Sequence, residues 1–283
     1  MHLNFPFNAT QILWTITFAA QLVLLVVLMG RDRISRFPWF TASIIVYGLR
    51  LLSEILLSGR LPMLTLRTLF IILADLTAII ALLVVLELAR HAFSAVKRRV
   101  WATWTLVTIA VAVSVVALWG PWPTRSELTV DSPLALLRLL QLAAQKLDLL
   151  IDVLTIELGL LVVSFGRRYG AGWRSHTQAI VVGLSTVAAA WLAIQGIWQI
   201  IARTVHPLTR PDYERVIALG GKLVNANKVV YIAALVWWIV WLWFDEPGTG
   251  ESANSTSGNE APELTSDASL TNGNLDETPG ATQ

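Results

Sequence analysis

Residues 10–37, TQILWTITFAAQLVLLVVLMGRDRISRF, decide the fold. From Thr10 to Met29 the chain carries no ionisable side chain, and the run then stops at Gly30-Arg31-Asp32-Arg33. About twenty apolar residues, wound as a helix, cross a hydrocarbon core of about 30 Å. No basic segment precedes the run and no small-residue cleavage site follows it. It therefore reads as a retained span and not as a signal peptide.

Outward from this stretch the pattern recurs. Apolar runs near the crossing length fall at roughly 10–29, 38–57, 68–89, 101–119, 135–166, 177–203 and 221–244. Over all 283 residues the chain is 55% hydrophobic and 14% charged, with mean hydropathy +0.63. Soluble domains carry charge on about a quarter of their residues. The expectation is an all-α, polytopic membrane protein, a seven-transmembrane-helix bundle occupying residues 1–244.

The loops set a direction. Arg31, Arg33 and Arg36 follow the first span, Arg90, Lys97, Arg98 and Arg99 the third, and Arg167, Arg168 and Arg174 the fifth. The alternate loops are leaner, or, around Arg210 and Arg215, partly offset by Asp212 and Glu214. By the positive-inside rule the N-terminus is outside and the C-terminus cytoplasmic. Trp39, Trp101, Trp104, Trp122, Trp173, Trp241 and Trp243 fall at span ends, where amphipathic rings sit at headgroup level. A bacterial inner (cytoplasmic) membrane is the expected address.

Residues 245–283 read as a disordered, acidic cytoplasmic tail, rich in Gly, Ser, Thr, Asn, Glu and Pro. All eight acids after Phe244 lie there without a Lys or Arg, leaving 21 basic against 11 acidic groups in the span region. That excess suits an anionic lipid surface. The basic groups sit in short loops and not on one extended face, so no nucleic-acid partner is expected.

Chemistry can be narrowed by what is missing. The chain has no cysteine, which excludes disulfides, thiolate metal sites and cysteine nucleophiles. His2, His91, His176 and His206 fall in loops or at span ends, so no haem pair is placed within the membrane. G-x-S-x-G, H-E-x-x-H and P-loop patterns are absent. Asp148-x-x-x-Asp152 alone is too weak to name a metal site. Neither a cofactor nor a catalytic centre is expected. A retinal-type Lys is lacking from the middle of the last span, where Val229 to Trp238 holds none. Glu87 and His91, four apart, suit an ordinary surface ion pair.

What remains is charge inside the spans: Arg50, Glu54, Asp75, Asp148, Asp152, Glu157 and Lys228. Each costs about 2.5–3.5 kcal/mol at a helix centre facing lipid, so the group must be paired, hydrogen-bonded or wetted inside a bundle. On the fifth span Arg138, Gln141, Gln145, Asp148 and Asp152 share an arc of roughly 80° at about 100° per residue. Arg50 and Glu54 stack four apart on the second span. Gln195 and Gln199 on the sixth, with Asn225 and Lys228 on the seventh, lie at matching depth.

These positions imply an outward-facing, mixed-charge cavity lined by Arg50, Glu54, Asp75, Gln145, Asp148, Asp152, Gln195, Gln199, Asn225 and Lys228. Such a cavity suits a small polar ligand and a receptor-like or sensor component that signals through a cytoplasmic protein partner. Two alternatives stand beside it: transport of a proton, ion or small polar solute, and a structural subunit with a dry polar network. Glu157 projects more than about 100° from the stripe and is the proton-relay candidate. In the sixth span Ser185, Ala189 and Ala193 form a small face suited to close helix packing.

Overall fold

The computed structural model describes residues 9–57, 62–94, 98–119, 122, 133–165, 175–204 and 210–245. They form α1 (Ala9–Gly30), α2 (Pro38–Leu57), α3 (Met63–Ala92), α4 (Arg98–Leu118), α5 (Pro133–Phe165), α6 (His176–Thr204) and α7 (Arg210–Trp243). No strand occurs among the described residues. The tail beyond Asp245 lies outside them.

Four helices are long and apolar enough to cross a membrane: α1, α3, α6 and α7. In α4 the qualifying apolar stretch is shorter, Ala102–Leu118, and α5 carries five ionisable side chains along its length. The apolar helices leave much of their surface uncovered by protein. On α1, Val26 is 66% and Met29 67% exposed, and on α6 Ile200 is 63% exposed. Hydrocarbon is the solvent for which such faces carry no penalty, and the fold is that of a membrane protein.

Neighbour contacts run α1, α2, α3, α5, α6, α7 and back to α1, closing a ring of six helices. Across the ring α3 touches α6, while α4 stands outside and packs on α5. The main core gathers at one end. It joins Leu24 and Leu28 of α1, Phe40 of α2, Leu88 of α3, Val162 of α5, Ile180 of α6 and Leu235, Trp238 and Leu242 of α7. These are late positions on α1, α3, α5 and α7 and early ones on α2 and α6, as expected when successive helices alternate in direction.

Polar contacts fasten the same end. Asp245, just past α7, reaches Arg33 at 3.0 Å and Arg31 at 3.5 Å, and Trp237 donates to the Ala179 carbonyl of α6 at 3.0 Å. Gly183 lets α7 approach closely, because a Cβ there would lie 2.3 Å from Trp238 Nε1. The turn between α1 and α2 closes with Asp32 N–H on Met29 O and Arg33 N–H on Leu28 O. That is a Schellman pattern, with Asp32 at φ 50° in the left-handed position.

Several boundaries differ from the sequence reading. The seventh helix begins at Arg210, well before residue 221, because a search for apolar runs stops where charges begin. Here those charges are spaced for the helix: Arg210 meets Glu214 at 3.2 Å and Arg215 meets Asp212 at 3.7 Å. Pro211 in the first turn costs no hydrogen bond, since N–H groups there have no intrahelical acceptor. For the same reason α3 starts at Met63, directly after Pro62, and not at residue 68.

Candidate functional site

On α2 the polar side chains Ser43, Tyr47, Arg50 and Glu54 recur at helical spacing and share one face. The side chain of Glu54 lies outside the described residues. On α5 the aspartates follow the stripe expected from the sequence, with Asp148 exposed and Asp152 half-buried. Asp75 is half-buried on α3, between the two.

These groups converge. The charges that act most on Asp148 are Arg50 and Asp75, and the one that acts most on Asp152 is Asp148. The Tyr47 phenol feels Arg50, Asp148 and Asp152 together. Yet α2 and α5 are not in contact with each other, and none of the described ion pairs joins Arg50 to an aspartate. The cluster is thus carried by three helices, with α3 in contact with both α2 and α5.

An aromatic column leads from the cluster toward the packed end. Tyr47 lies 6.1 Å from Tyr231, Tyr231 lies 6.4 Å from Trp238, and Trp238 meets Phe40 edge-on at 5.2 Å. Gln21 of α1, only 3% exposed, donates to the Tyr231 hydroxyl at 3.1 Å. Below this level the lining is Phe40, Leu88, Leu235, Trp238 and Leu242, all essentially inaccessible.

The remaining candidates divide. Asn225 reaches Thr10 Oγ1 at 3.4 Å, and the Lys228 ammonium sits 4.7 Å above the Trp14 ring, so both belong to the seam between α7 and α1. Gln145 is exposed on α5. Gln195 and Gln199 are half-buried on α6, and Gln195 shares the face of Leu184, about three turns earlier, which packs on the main core. Gln141 accepts from Arg67 of α3 at 2.9 Å, fastening α5 to α3 toward the N-terminal ends of those helices.

Glu157 stands apart from the cluster. It lies one turn beyond Val153, which packs against Ala112 and Val116 of α4. Both carboxyl oxygens are enclosed, with no hydrogen-bond partner among the described residues. On α6, Ser185 is the member of the small face that packs, donating to the Thr155 carbonyl at 2.8 Å over Gly159. Ala189 and Ala193 are exposed.

Glu87 and His91 depart from the surface pair expected of them. Glu87 is 7% exposed and accepts from the backbone N–H groups of Trp39 (3.3 Å) and Phe40 (3.0 Å), capping α2 from α3. His91 Nδ1 lies 2.9 Å from the Glu87 carbonyl oxygen instead. Pro38 explains the change. A helix that begins at a proline still presents the next two amides without intrahelical partners, and a carboxylate satisfies both.

Charge counting in the sequence missed Gln21, Tyr47 and Tyr231, which carry no charge at neutral pH. Gln21 had a signal, as the polar residue that interrupts the apolar run of α1. Lys146 was also missed; its ammonium donates to the Trp119 carbonyl at the end of α4 and lies 4.6 Å over the Trp122 ring.

Comparison with protein-family models, with curated proteins and with solved structures yields no match.

Proposed function

We propose that the chain is a seven-span protein of a bacterial inner membrane, N-terminus outside and C-terminus cytoplasmic, that receives a small polar or zwitterionic ligand and acts as a receptor-like or sensor component. The observation that carries this reading is the cluster of Arg50 on α2, Asp75 on α3 and Asp148 and Asp152 on α5, with no ion pair described between Arg50 and an aspartate. A zwitterion fits such a cluster: its carboxylate matches the Arg50 guanidinium and its ammonium the aspartates. Gln145, Gln195 and Gln199 are further polar groups proposed for the ligand, with Glu54 beside Arg50 on α2, while Asn225 and Lys228 are engaged with α1.

The apolar end favours a receptor over a conduit. A solute or ion passing through would have to cross the level of Phe40, Leu88, Trp238 and Leu242, where desolvation is costly. With the opposite end packed, occupancy of the charged cluster is more readily read out as a change in helix arrangement than as flux. The signal would then pass to a cytoplasmic protein partner through the basic loops or the acidic tail.

Thermal unfolding of the purified full-length protein against a panel of amino acids, betaines and small polyamines tests the proposal. A hit whose stabilisation disappears in Asp148→Asn/Asp152→Asn supports it, while a hit that survives the double substitution removes these residues from the site.

Transport is the second reading, and the enclosed Glu157 carboxyl is what favours it. Proton-coupled flux in proteoliposomes that is lost in Glu157→Gln would replace the receptor reading.

A further inference from the structure

Although α3 and α4 are consecutive, their backbones do not approach closely among the described residues. Between them, backed by α5, lies a cavity of about 180 Å³ lined by Leu82, Leu86, Phe93, Trp104, Thr108 and Leu158 among others. The lining is almost wholly hydrocarbon, and the Thr108 hydroxyl is turned back onto the Thr105 carbonyl of its own helix at 3.0 Å. Leu86, Trp104 and Ile109 on its rim are each at least 40% exposed, so the space opens sideways from the bundle. Water gains nothing there, because a guest would find no polar partners.

One end of the groove is chemically distinct. Phe93, Trp104 and Phe165 gather where α3 and α5 finish and α4 begins, with Trp104 and Phe165 5.5 Å apart. Aromatic rings at such a position mark headgroup level. Exposed Arg90 stands one turn beyond Leu86 on the same side of α3, in a last turn that is basic. The first turn of α4, which opens with Arg98 and Arg99, holds no acidic residue and adds the positive end of its helix dipole. The nearby acid Glu87 is buried and committed to the start of α2.

We propose that the α3–α4 groove is a binding site for an anionic phospholipid, its acyl chain lying against Leu82, Leu86 and Leu158 and its phosphate held near Arg90 and the start of α4. The site is separate from the cluster of Arg50, Asp75, Asp148 and Asp152, none of which lines the groove. Apolar length alone would accept any lipid; the basic, aromatic end selects a negatively charged headgroup.

Native mass spectrometry of the purified full-length protein, supplied with equimolar phosphatidylglycerol and phosphatidylcholine of identical chains, reads this directly. The wild-type protein retains phosphatidylglycerol about fivefold or more over phosphatidylcholine, and Arg90→Gln, at an exposed position, brings the two near parity. Thr108→Phe fills the groove and removes the retained lipid, which binding to basic loops elsewhere would not do. Equal retention of both lipids by the wild type, or unchanged preference in both variants, overturns the assignment. So does a protein segment found in the groove in place of lipid.

Discussion

Glu87 Oε2 accepts the backbone N–H of Phe40 at 3.0 Å, so a carboxylate near the end of α3 completes the start of α2. Removing it leaves the buried Phe40 amide and the part-buried Trp39 amide without an acceptor. Glu87→Ala is therefore expected to lower stability by roughly 1–3 kcal/mol, the cost of stranding buried donors. Glu87→Gln keeps an acceptor and loses the favourable charge at the helix N-terminus, and should fall between wild type and alanine. Thermal unfolding in one detergent ranks the three; an alanine variant as stable as wild type would show that the cap contributes nothing.

Trp238 and Gly183 set the closest approach between α7 and α6. Since a Cβ on Gly183 would meet the indole at 2.3 Å, Gly183→Ala must push the helices apart or force Trp238 off its rotamer. Overpacking of this kind costs about 1–3 kcal/mol. Gly221 is the control: nothing lies within 4 Å of its Cβ direction, and Gly221→Ala should be neutral or stabilising by up to about 1 kcal/mol from helix propensity. The pair separates local crowding from any general effect of alanine.

How much of this was legible in the sequence depends on what each feature rests upon. The helices were legible because hydrophobic length is a one-dimensional property: α2 runs over the expected residues, and α1 differs only at its ends. Arg50, Asp75, Asp148 and Asp152 stood out for a related reason, as charges in apolar helices have few places to go. Glu87 was not, because its role depends on the amides of a different helix, and nothing within LELARHA announces them. Lys228 and Asn225 have the right depth but face α1. Depth can be counted along a chain, whereas the direction a helix turns its faces is set by its neighbours.

Asp32 occupies the left-handed position of the α1 cap at φ 50°, a conformation in which L-residues are strained by about 1–2 kcal/mol and glycine is not. Its exposed position makes the substitution simple to interpret. Asp32→Gly should raise stability by about 0.5–1 kcal/mol, less than the full strain because glycine loses more freedom on folding. A decrease on thermal unfolding would mean that the Asp32 side chain contributes more than its backbone costs.

Asp245 bridging to Arg31 and Arg33 fixes the end of α7 beside the α1–α2 turn, and the Glu87 cap puts the end of α3 there too. One label at that end therefore reports the direction of the whole ring. The chain holds no cysteine, so single cysteines can be introduced without background. Ser35 and Ser94 are exposed at the packed end, and Tyr213, 57% exposed, lies in the first turn of α7 at the other. If the basic loops are cytoplasmic, as the positive-inside rule expects, a membrane-impermeant maleimide added to intact cells labels Tyr213→Cys and leaves Ser35→Cys and Ser94→Cys untouched until the membrane is permeabilised. The opposite pattern would turn the charged cluster toward the cytoplasm and replace the proposed external ligand with an internal one. Labelling of all three in intact cells would mean that the ring does not cross the bilayer in this way, and the receptor proposal would fall with it.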